Sequence, residues 1–79
     1  MLQVIEMTNV EYDKISGIIT ATAEFEFRKY DIIADTNTWE MISTDDNIPD
    51  IILYKCESDF KRAINGSRFF PSSYWIAWY

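Results

Sequence analysis

Between Ile18 and Lys29 the chain alternates without a break: Ile19, Ala21, Ala23, Phe25 and Phe27 fall on one face, and Thr20, Thr22, Glu24, Glu26 and Arg28 on the other. A period of two marks a strand buried on one side only, so this segment demands a sheet with one apolar and one wet face. Residues 2–12 upstream are rich in β-formers (Val4, Ile5, Thr8, Val10, Tyr12), and Asp13-Lys14-Ile15-Ser16-Gly17 supplies turn residues with a glycine suited to positive φ. The two segments are expected to pair as an antiparallel hairpin. Leu2 and Val4 share a parity with Val10 and Tyr12 but also with Glu6, while Ile5 and Met7 point the other way, which predicts a bulge near Glu6.

Beyond Lys29, Tyr30-Asp31-Ile32-Ile33-Ala34 continues the strand after a bend, Asp35-Thr36-Asn37-Thr38 reads as a turn, and residues 39–44 as a third strand. The period then changes. Ile48, Ile52, Cys56, Phe60, Ala63 and Ile64 recur at intervals of three and four with Leu53 beside them, the stripe of an amphipathic helix over about 48–65. Asn47 is its expected N-cap, Pro49 and Asp50 lie in its first turn, Lys61 and Arg62 suit its C-terminal dipole, and Gly66 closes it. A second reading stays open, in which residues 51–56 form a strand and Ser58 caps a short helix through Ile64, because Ile51 and Tyr54 lie off the stripe. After Pro71, residues 73–79 have strong strand propensity. The expected fold is α+β: an antiparallel sheet of about four strands with one helix packed on one face, in the order β-β-β-α-β, as a single compact domain over residues 1–79.

A chain of 79 residues buries only about 60% of its unfolded surface, too little interior for three Trp, five Tyr and five Phe, so some rings belong at a surface. There is no histidine, which removes the commonest general base and metal ligand, and the two glycines stand too far apart for a phosphate-cradling loop. The lone Cys56 has no disulfide partner within the chain and sits mid-stripe, the place of a small core hydrophobe, not a nucleophile. Neither a basic, apolar leader nor a membrane-length apolar run is present, so the reading is cytoplasmic, with no membrane partner. Acid pairs such as Glu24/Glu26 or Asp45/Asp46 are too common at this acidity to signal glycosidase chemistry. The Asp35-Thr36-Asn37 and Asp45-Asp46-Asn47 clusters lack the glycine and glutamate of a calcium loop and suit turns better. Asn65-Gly66-Ser67 matches a glycosylation acceptor only formally. No enzyme activity, cofactor or metal is expected.

Thirteen acidic against seven basic residues give a net charge of −6, which disfavours direct contact with nucleic acid or an anionic membrane and suits a protein with a basic surface. Glu24 and Glu26, spaced by about 7 Å on one strand face, are the expected centre of an acidic binding surface that Glu6, Glu11 and Glu40 extend. An ordinary solvated strand face is the competing explanation. The aromatic end is the second candidate, with Trp75, Trp78 and Tyr79 as anchors for a partner or a homodimer. A third, Lys61, Arg62 and Arg68 with Phe69 and Phe70 as a platform for single-stranded nucleic acid, is opposed by the overall charge.

In size, acidity, and absence of cysteine bridges and catalytic residues, the chain resembles small phage-encoded inhibitors of bacterial defence, such as anti-CRISPR and anti-restriction proteins. The resemblance lies in the composition of the whole chain and not in any stretch of residues, so it transfers no site. It implies a viral protein in the cytoplasm of a host cell, inhibiting by stoichiometric occlusion of a basic, nucleic-acid-handling complex, sometimes as a nucleic-acid mimic. The alternative is a small structural or assembly protein that homo-oligomerises through its aromatic C-terminal strand.

Overall fold

The computed structural model describes residues 1–43, 45, 47–66 and 70–79. Its strands are β1 (Gln3–Asp13), β2 (Ile18–Phe25), β3 (Arg28–Asp35), β4 (Glu40–Ser43) and β5 (Tyr74–Trp78), and its helix α1 (Asp50–Asn65) lies between β4 and β5 in sequence. They form one antiparallel sheet in the order β4-β3-β2-β1-β5. The first four strands are a meander; after α1 the chain returns to pair β5 with β1. The class is α+β, with one helix on one face of the sheet. The third strand expected over 39–44 is β4, shorter than expected; Thr44 lies outside the described residues.

Five strands replace the expected four because the alternating run stops at Phe25. Glu26 and Phe27 adopt φ of 52° and 67°, a two-residue connection in the left-handed region, and the chain reverses at once into β3, with Phe25 opposite Arg28. The alternation through this turn is coincidental: Phe27 is 100% exposed instead of joining the core, and Glu26 sits on the turn instead of the strand face. Sequence gave no warning, since hairpins of this kind favour Asn-Gly, not Glu-Phe.

The predicted bulge exists, but at Asn9. Its φ of 52° places one extra β1 residue between the Thr8–Thr22 and Glu11–Thr20 pairs, so that Ile5 and Met7 before it and Val10 after it are all buried. Asparagine tolerates this conformation better than any neighbour, which is the physical reason the parity changes there and not at Glu6. The expected first turn forms as read. Asp13 Oδ1 accepts from the backbone N–H of Ile15 at 2.9 Å, Gly17 N–H donates to Asp13 O at 2.8 Å, and Gly17 has φ 78°. A second turn latches onto it, Thr36 N–H and Oγ1 both donating to Gly17 O (2.9 and 2.7 Å) and Asn37 Nδ2 to Ser16 O (3.1 Å).

Residues 51–56 are helical, and Ile52, Cys56, Phe60 and Ala63 form the buried stripe. The strand reading of that segment is thereby overturned. The helix begins later than expected, with Pro49 and not Asn47 at the N-cap position and no side-chain cap; Gly66 ends it by donating its N–H to Arg62 O with an ordinary negative φ. Ile52, Cys56 and Phe60 join Ile5, Met7 and Val10 of β1, Ile19, Ala21, Ala23 and Phe25 of β2 and Tyr30, Ile32 and Ala34 of β3 in one core. Phe25, Ile52 and Phe60 thus join sheet to helix, whereas Phe27, which shares the apolar parity of the alternating run, does not.

Candidate protein-binding face

Because α1 covers one face of the sheet, the residues of opposite parity form a second, uncovered face. In register across β5, β1, β2 and β3 stand Trp75, Glu6, Glu24 and Lys29. Two rows further along β2, about 14 Å away, Glu11, Thr20, Ile33 and Ile42 follow, and beyond them Asp13, Ile18, Asp35 and Glu40. Lys29 is the one basic strand residue at these outward positions among the described residues.

The structure separates the predicted acidic residues into distinct places. Glu6 and Glu24 are direct cross-strand neighbours, and Glu26 on the adjoining turn joins them around one groove. Glu11 lies beyond the bulge, and Glu40 on β4 at the opposite edge of the sheet. Like charges placed directly opposite disfavour strand pairing. Lys29 stands beside Glu24 in register without forming an ion pair; among the described residues the ion pair seen is Lys61–Glu57 on the helix, at 3.7 Å.

The aromatic end also divides, because residues 75 and 78 have opposite strand parity. Trp75 is 73% exposed on the acidic face, next to Glu6. Trp78 packs on the helical side, stacked on Phe25 with ring centroids 6.0 Å apart and with Lys55 Nζ 4.9 Å from its centroid. Tyr79 is 94% exposed beyond the end of β5. The two candidate surfaces read separately from sequence, acidic and aromatic, therefore meet at Trp75. Sequence reasoning missed Phe27 and Val4 as members of the same patch, and no signal marked them, because the turn that carries Phe27 is hidden inside the alternation and Val4 reaches the patch only through the β1 register.

The groove has a volume of about 380 Å³, at the small end of ligand-site dimensions, and is lined by Val4, Glu6, Glu24, Glu26, Phe27 and Trp75. Elsewhere, Cys56 is fully buried with Sγ 3.8 Å from Met7 Sδ, and burial, with Asp59 adding to it, pushes its thiol up to about 12. No nucleophile is available there at neutral pH. Phe70, from the expected nucleic-acid platform, packs against Tyr12 and Phe60, while Arg68 and Phe69 lie outside the described residues, as do Asp46 and Ser67. Among the described residues no group of three acidic or cysteine side chains is arranged to hold a metal ion, and no helix is long and apolar enough to cross a membrane.

The fold and the face together define a class: a helix-backed antiparallel sheet whose open side combines carboxylates with exposed aromatic rings. No protein family, curated protein or solved structure matches the chain significantly.

Proposed function

We propose that the protein is a non-enzymatic binding module, a stoichiometric inhibitor that uses its acidic sheet face to occlude a basic, nucleic-acid-handling protein in the cytoplasm, in the manner of the anti-CRISPR and anti-restriction proteins it resembles in composition. The observation that carries the reading is the cross-strand pair Glu6–Glu24, two glutamates directly opposite in register beside the exposed Trp75. Pairing of this kind costs about 0.2–1 kcal/mol, an expense the fold could avoid with threonine, as it does at the next pair, Thr8–Thr22. A strand face that merely stays soluble needs neither the opposition nor the indole.

The test uses the tagged protein and its Glu24→Lys/Glu26→Lys variant side by side in lysate of the cell that makes it, with captured proteins identified at rising salt. The reading expects a basic nucleic-acid-binding protein that wild type retains at low salt and releases as salt rises, and that the variant fails to retain. An identical captured set for both proteins overturns it.

A second reading, homo-oligomerisation, rests on β5. This edge strand, Tyr-Trp-Ile-Ala-Trp, carries no charge and no proline, the usual devices that blunt an edge, and is paired with β1 alone among the described residues. Sedimentation over a range of concentrations distinguishes the two: an apolar edge interface persists at high salt, whereas an acidic-face complex does not.

A further inference from the structure

We propose that the groove at the β5–β1–β2 end of the open face is a receptor for an arginine side chain of the protein partner. The inference rests on the acidic-face reading and makes it specific. Three carboxylates, Glu6, Glu24 and Glu26, line the groove, and none makes an ion pair or side-chain hydrogen bond with another described residue. They are not drawn together as metal ligands would be. What they surround is a space of about 380 Å³ whose remaining walls are apolar: Trp75, Phe27 and Val4.

A cation that is to stack flat on the aromatic rings and also fork onto the carboxylates is large, flat and only weakly hydrated. Guanidinium meets all three conditions. It stacks on an indole or phenyl face, offers a fork of N–H donors to carboxylate oxygens, and sheds water more readily than an ammonium group. Lysine would satisfy the charge but neither the stacking nor the fork. The aromatic walls are accessible: Trp75 is 73% exposed, and Phe27 is wholly exposed on a turn where its φ of 67° is unfavourable for any residue but glycine or asparagine. Phe27 contributes nothing to the core, so its ring serves the surface.

The experiment titrates ¹⁵N-labelled protein with a capped peptide bearing two arginines, and with the same peptide carrying lysine or the neutral isostere citrulline in their place. The arginine peptide is expected to shift the Trp75 indole and the Glu6 and Glu24 amides saturably, the lysine peptide to bind more weakly, and the citrulline peptide to leave them unmoved. Trp75→Ala should weaken arginine-peptide binding roughly fivefold. Phe27→Ala, at a position outside every strand, repeats the test without touching sheet pairing. Equal binding of the citrulline or the lysine peptide overturns the assignment. Shifts spread over Glu11 and Glu40 and indifferent to both aromatic variants overturn the groove while leaving the acidic face as a general surface. No shifts with any peptide overturn both.

Discussion

Glu26 and Phe27 show how a single pair of residues trades stability against surface. Left-handed backbone costs an L-residue with a Cβ about 1–2 kcal/mol, and here two adjacent residues bear it. Replacing the pair with Asn-Gly is therefore expected to raise the free energy of unfolding by about 1–2 kcal/mol, measured by urea denaturation, while removing one aromatic wall and one carboxylate of the groove. Gly17 is the opposite case. A Cβ there would lie 2.8 Å from Asn37 Nδ2 at φ 78°, so Gly17→Ala should destabilise the protein and unlatch the two turns, visible as faster amide exchange at Thr36. Asp13 anchors the first of those turns, and hydrogen bonds from Ile15 and Ser16 hold its carboxyl below the usual carboxylate range. A depressed pKa means its support is complete at neutral pH and is lost as pH falls through that lowered value. The stability gap between wild type and Asp13→Ala should accordingly close on acidification. At Cys56 the buried, neutral thiol should react with alkylating reagents only through opening of the core, so its labelling rate in rising urea follows global unfolding.

At the scale of elements, α1 is the lid of the core, and Phe60 is its largest fully buried side chain. Phe60→Ala should cost about 3–5 kcal/mol, read as a lowered urea midpoint, which is a large share of the stability of a domain this small. That helix was legible because Ile52, Cys56, Phe60 and Ala63 obey a period that no strand can use. The strands were legible where one face is buried, as in Ile19 through Phe25. Legibility failed where backbone conformation departs from what side chains advertise. The Glu26-Phe27 turn hides inside a perfect alternation, and Asn9 shifts the parity of β1 three residues beyond the place where charge suggested it. For the candidate site, the acidic character could be read from composition, but its assembly could not. Glu6, Glu24 and Trp75 are separated by up to 69 positions in sequence and become neighbours only through the β1–β2 and β1–β5 registers. Trp78, by contrast, was drawn out of the expected surface by its parity, to stack on Phe25 beneath Lys55.

For the molecule as a whole, the two faces of one sheet differ: the helical side is buried, and the open side carries the carboxylates to which the proposed function assigns the encounter with a basic partner. Long-range attraction from the acidic side should make association fast at low ionic strength, with the rate constant falling steeply as salt is added and dissociation changing little. Stopped-flow measurement against the captured partner checks this, and a salt-independent association rate would contradict it.

The return of the chain to place β5 against β1 has a further consequence for biosynthesis. Residues 3–7 acquire their second neighbour only when residues 74–78 exist, so a nascent chain on the ribosome holds the Ile5 and Met7 edge of its sheet open until those residues have been made. Truncation before Tyr74 would leave that edge without its β5 partner, and such fragments are the species expected to aggregate or be degraded.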